Sequence, residues 1–150
     1  MMAETFIGMT IDQAQEEIAS EFSLLDGDQE MTVFYIMEIG QKMPPFPDTA
    51  RTEANEVKGC QSKVWMTAEL RNGLLYLQAD SNTAITKGLV SLLVRIFSGH
   101  TPDEILKAEL TFMKKIGMER FIGTQRSNGF AAMIKQIKYF ALAFQLKNNA

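Results

Sequence analysis

Arg71-Asn72-Gly73 constrains the fold more than any other stretch of this chain, because it falls between two segments that read as strands. Asn and Gly tolerate the positive φ that a tight reversal demands. Before the turn, over 62–70, Val64, Met66 and Ala68 alternate with Lys63, Thr67 and Glu69, the period of a half-buried strand. After it, "LLYLQA" (74–79) is the return strand. Residues 57–58 fit a short third strand, which puts Gly59 and Cys60 at a tight turn between two strands.

Helical patterns flank this hairpin. "TIDQAQEEIASEF" opens with Thr10 as N-cap and Gln13 closing a capping box, and Ile11, Ala14, Ile18 and Phe22 mark its apolar face. A second helix spans about 28–42, with Met31, Phe34, Ile39 and Met43 as its buried side. "MPPFPDTA" ends it, since closely spaced prolines cannot continue a helix, and 43–55 reads as loop. "DSNTAITKGLVSLLVRIFSG" is a central core helix, capped by Asp80 or Ser81 and ended by Gly99, with Ile85, Leu89, Leu92, Leu93 and Ile96 at helical spacing. "TPDEIL" starts another, with Thr101 as cap, Pro102 in the first position and Glu104 closing the box. "ELTFMKKIG" is a short helix. "QRSNGF" reads as a turn leading into a long final helix striped by Phe130, Met133, Ile134, Ile137, Phe140 and Phe144. Strands grouped between helical segments argue α+β: a small antiparallel sheet packed against N- and C-terminal helices.

The chain has 150 residues, 46% of them hydrophobic and 22% charged, which fits one globular domain spanning 1–150. The start, "MMAETFIGM", lacks the pattern of a signal peptide, and "YFALAF" (139–144) is far too short to cross a membrane. These features predict a soluble cytoplasmic protein whose thiol stays reduced. One cysteine excludes an internal disulfide and a Cys-rich zinc site. The formal charge of −3 hides an asymmetry: residues 1–56 carry twelve carboxylates against two cations, and 57–150 carry thirteen cations against six carboxylates. Either these faces offset each other in the fold, or they steer a partner. The cations are dispersed without interleaved aromatics, which argues against nucleic acid.

Cys60 is the chain's single thiol, set in "EVKGCQSKVW". Gly59 frees the backbone beside it and removes bulk near the sulfur. Lys58 and Lys63 could favour the thiolate. The residues leave two readings open: a working thiol, or a buried small hydrophobe. A hydrolytic pair needs an imidazole, but His100, the only histidine, lies beside Gly99 just after a helix, a loop or cap position. The turn at 126–130 reads as a helix cap on Ser127 or Asn128, or as Arg126 poised for a carboxylate.

Taken together, "VKGCQSKVW", "LQADSNTAITKGLVSLL", "SGHTPDEIL" and "QRSNGFAAMIKQIK" resemble, in order and spacing, the SufE and CsdE type of sulfur acceptor, over roughly residues 28–145. The resemblance implies an α+β fold similar to iron–sulfur scaffolds of the IscU type. It implies a partner, a cysteine desulfurase of the SufS type that carries pyridoxal phosphate, with no cofactor on the acceptor itself. It further implies that Cys60 accepts sulfur as a persulfide, stimulates the desulfurase, and passes the sulfur to an iron–sulfur assembly scaffold. By position, Gly59, Gln61 and Ser62 form the thiol loop. Asp80, Ser81 and Lys87 match the adjacent family segment, and Arg126, Ser127, Asn128 and Gly129 match the R-S-x-G segment. The chain departs from the family at Gln29, Thr32 and Val33, and at "IGTQ" (122–125). Three other classes stand beside this reading: an iron–sulfur scaffold, which needs several thiolates per cluster; a thiol hydrolase; and a noncatalytic binding domain. A homodimer could form through "YFALAF".

Overall fold

The computed structural model describes residues 9–148; the opening stretch read for a signal peptide lies almost wholly outside them. Helix α1 (Ile11–Ser23) begins at Thr10, whose hydroxyl accepts from the Gln13 N–H while the Gln13 side chain accepts from the Thr10 N–H. Such a box satisfies two amides that a helix start leaves open, worth about 1 kcal/mol. Ile11, Ala14, Ile18 and Phe22 are all buried. Helix α2 (Gln29–Gln41) starts at Asp28, whose carboxylate accepts from the Met31 N–H.

Strands β1 (Val64–Arg71) and β2 (Leu74–Ser81) pair antiparallel, with Arg71 opposite Leu74 and Val64 opposite Ser81. Asn72 and Gly73 both take positive φ, as the turn requires. Side chains alternate across a strand, so Val64, Met66, Leu75, Leu77 and Ala79 share the buried face. That face meets helix α3 (Ala84–Phe97), where Leu92, Leu93, Ile96 and Phe97 are fully buried. Each is worth about 1.5–3 kcal/mol against exposure. Helix α4 (Pro102–Lys107) carries the reciprocal Thr101–Glu104 box, and α5 (Phe112–Ile116) is short. Helix α6 (Met118–Asn148) closes the fold, broken at Gly123, which takes φ 80 and ψ 170.

Helices α2 and α3 cross with no room between them. A β-carbon on Gly88 would stand 1.9 Å from the Ile36 carbonyl oxygen, and one on Gly40 would stand 2.6 Å from the Gly88 nitrogen. Charge ties the same helices to α1. Arg95, on α3, donates from both terminal nitrogens to Glu21, and the Tyr35 hydroxyl donates to the same carboxylate. Burial opposes ionisation of Glu21, but these donors outweigh it and hold the carboxyl below its usual range.

Four local expectations are corrected. Residues 57–58 make no strand: a single bridge joins Glu56 to Trp65, and the Val57 N–H donates to the Val64 carbonyl at 2.8 Å. Met31 and Phe34 face outward, 55% and 64% exposed, because the close crossing at Gly40 turns Thr32, Ile36 and Ile39 inward instead. Asp80 and Ser81 lie in β2, and α3 starts after Thr83 with no side-chain cap. Residues 126–128 are helical; the break falls earlier, at Gly123.

Candidate functional site

Cys60 sits at the tip of a loop closed like a hairpin by the Val57–Val64 bond and the Glu56–Trp65 bridge. Gly59 takes φ +96, a conformation that side chains disfavour. Lys58, Gly59, Gln61 and Lys63 are exposed, yet Cys60 is only half-exposed because its sulfur turns back onto α6. There Sγ donates to the Gly129 carbonyl at 3.4 Å. Gly129 has no side chain, so the sulfur lies against the helix backbone. Behind it is a cavity of about 80 Å³, walled by Cys60, Gln61, Ser62, Thr86, Arg126 and Met133 among others.

The outgoing limb of the loop is held by the β2–α3 junction. The Lys63 N–H donates to the Asn82 side chain at 3.0 Å, and the Lys63 carbonyl accepts from the Ser81 hydroxyl at 2.8 Å. The Ser62 hydroxyl accepts from Thr83 at 3.0 Å and lies 3.3 Å from the Thr86 hydroxyl. Ser81 is therefore a loop clasp rather than a helix cap.

Asp80 stands directly across from Trp65, on the sheet face away from Val64 and Met66. Arg51 donates to its Oδ2 from Nε at 3.1 Å and from Nη2 at 2.6 Å, and Lys87 Nζ lies 3.3 Å from Oδ1. Burial opposes ionisation of Asp80, but Arg51, the Ser81 backbone and Lys87 outweigh it and hold the carboxyl below the usual range. Sequence reading missed Arg51; the available signal was that it is one of two cations in the acidic first third. Arg126 shares the Cys60 cavity and donates to the Ile122 carbonyl at 3.3 Å, with no carboxylate partner among its described contacts. Ser127 lines a different depression, with Met113 and Phe130, and Asn128 is exposed.

The thiol is not activated at rest. Burial pushes Cys60 above its ordinary value, and neither Lys58 nor Lys63 offsets this. His100 bridges Leu75, near the hairpin turn, whereas Cys60 lies beyond the opposite end of the sheet. Six residues of strand separate Leu75 from Ser81, about 20 Å, so no imidazole serves the sulfur. Among the described residues no group of three His, Cys, Asp or Glu side chains could hold a metal ion, and no helix is long and apolar enough to cross a membrane.

Residues 16–141 match the family model described as "SufE: Fe-S metabolism associated domain". The chain belongs to the SufE family. An uncharacterized SufE-like protein of Rhizobium meliloti is 35% identical over 128 residues, covering 82% of this chain and 91% of that protein. Another, from Synechocystis, is 37% identical over 107 residues, covering 71% of this chain and 67% of its own length. The solution structure of a hypothetical protein from Thermus thermophilus superposes with a TM-score of 0.71 at 21% identity, covering 87% of this chain and 94% of that one, and so shares the fold. SufE membership associates the chain with iron–sulfur metabolism.

Proposed function

We propose that this SufE-family protein accepts sulfane sulfur on Cys60 from a SufS-type cysteine desulfurase, stimulates that enzyme by clearing its active cysteine, and delivers the sulfur to an iron–sulfur assembly scaffold. The observation that carries the reading is a lone thiol at a loop tip, half-sheltered against the Gly129 backbone, with no base beside it. A hydrolase needs a base near the nucleophile. A cluster scaffold needs several thiolates. Sulfur transfer needs neither.

In the exchange, the Cys60 thiolate attacks the outer sulfur of the partner's persulfide. A Cys60–sulfur bond forms, the partner's sulfur–sulfur bond breaks, and the partner's cysteine leaves as thiolate. The pyridoxal phosphate that releases sulfur from free cysteine belongs to the desulfurase. Burial raises the Cys60 pKa and so opposes the thiolate in the free protein; docking that exposes the sulfur also favours its ionisation. Lys58, Gly59 and Gln61 around the half-buried Cys60 are exposed, so this tip is the part that swings outward, with Gly59 absorbing the rotation. With no second cysteine to displace the cargo, another protein must collect it.

Intact-protein mass spectrometry tests this. Mixed with a SufS-type desulfurase and cysteine and quenched without reductant, the protein gains one or more sulfur atoms at Cys60, and Cys60→Ser gains none. No gain beside an active desulfurase would overturn the proposal.

A further inference from the structure

Both limbs of the Cys60 loop are fastened to one short stretch of chain. The outgoing limb hangs on Ser81 and Asn82. The incoming limb follows a proline-rich strap, 43–56, which has only two single 3₁₀ turns, Asp48–Ala50 and Glu53–Asn55, and no strand of its own. Two side chains secure that strap. Phe46 is buried. Arg51 reaches across to the sheet, placing two N–H groups on Asp80, while its third nitrogen holds Asp48 within the strap. Its guanidinium also lies 5.7 Å from the Phe46 ring centre and 6.0 Å from that of Trp65. An arginine fork can hold a carboxylate and lie near aromatic rings at once, which a lysine cannot reproduce.

We infer that Arg51 is a positioning residue for the thiol: by tying the strap to Asp80 it sets the stem from which the Cys60 loop departs. The inference rests on the reading of Cys60 as the working sulfur. Five residues after Arg51, Glu56 bridges Trp65, the residue paired with Asp80 across the sheet. The incoming and outgoing limbs are thus registered against consecutive residues, Asp80, Ser81 and Asn82. Release of Arg51 loosens the strap that leads into the incoming limb, leaving the Val57–Val64 bond and the Glu56–Trp65 bridge to hold that side of the stem. The sulfur itself is tethered by a single weak bond to Gly129, so a looser stem exposes it more often.

The test uses the full chain without any desulfurase and reads the rate of Cys60 alkylation by iodoacetamide at fixed pH. Arg51→Gln raises the rate about fivefold, the local opening expected from loss of a partly exposed ion pair. Arg51→Lys recovers part of the wild-type rate, since one ammonium still reaches Asp80. Ile18→Val, which loosens the α1 core, leaves the rate at the wild-type value. If Arg51→Gln does not fold, Asp80→Asn carries the same test from the other partner. A wild-type rate in the folded variant, or equal acceleration by Ile18→Val, would overturn the inference. Failure of persulfide loading would instead count against the proposed function and leave this result standing.

Discussion

Replacing Gly88 with alanine opposes two effects of known sign. Alanine is the better helix former by about 1 kcal/mol, so local propensity alone makes the variant more stable. Geometry says the reverse. The new β-carbon would lie 1.9 Å from the Ile36 carbonyl oxygen and 2.6 Å from the Ile36 carbonyl carbon and Cγ2. Carbon and oxygen settle at about 3.3 Å or more, so α2 and α3 must part by about 1.4 Å at their crossing. The obstruction is backbone and cannot rotate away. Overpacking of this kind costs about 3 kcal/mol or more, leaving a net loss of about 2–3 kcal/mol once propensity is subtracted. For a chain this size, Tm should fall by about 5–10 °C. Thermal unfolding followed by circular dichroism measures it. Thr86 and Leu89, neighbours of Gly88 on α3, line the Cys60 cavity, so thiol alkylation should quicken as well. A Gly88→Ala protein melting at or above the wild-type temperature would refute the close-crossing argument.

Cys60 should alkylate with an apparent pKa above that of the same thiol in denatured protein, because burial raises it in the fold. The linkage follows in sign: the unfolded chain loses the thiol proton first, so stability falls as pH rises above the ordinary thiol value of 9.0, and Cys60→Ser removes that part of the loss. Tyr35, pushed up to about 12 by burial and by Glu21, adds a further loss at higher pH that Cys60→Ser leaves in place; stability measured across alkaline pH separates the two. Glu21→Gln removes a carboxylate charge from beside Arg95, whose side chain is 9% exposed, and from the Tyr35 hydroxyl, and should cost about 2 kcal/mol in chemical denaturation. Glu21 is held below its ordinary range, so its contribution is present above that range and is lost as pH falls through the lowered value; the glutamine variant should show a flatter acid limb.

What could be read in advance followed from local chemistry. The Asn72-Gly73 turn and the two capping boxes are decided by residues within three positions of each other, and the structure forms all three. Helix α3 was legible because its apolar spacing is regular and its buried side chains include all four leucine and isoleucine positions from Leu89 to Ile96. Helix α2 was not. Apolar side chains occupy both its faces, so periodicity cannot choose between them, and Gly40 against Gly88 makes the choice from a distance. Asp80 and Ser81 look like cap residues because a helix follows closely, but β2 runs two residues beyond its apolar stretch. "SNG" has turn composition, yet the helix continues through it, and Gly129 is small where the Cys60 loop comes against the backbone. At the site, the thiol loop and its Gly129 neighbour lie in segments that carried the family resemblance. Arg51 lies in a strap with neither periodicity nor a turn motif to mark it, and only the fold brings it to Asp80.

The bond from Cys60 to the Gly129 carbonyl couples ionisation of the sulfur to its hold on the helix. A thiol can donate to that oxygen; a thiolate presents only lone pairs to lone pairs and is repelled. The docked pose therefore selects the unreactive form of the sulfur, and the reactive form ejects itself from the pose. Oxidants attack the thiolate rather than the thiol, so the same contact works as a safety catch: the sulfur is armed only once it has left the helix.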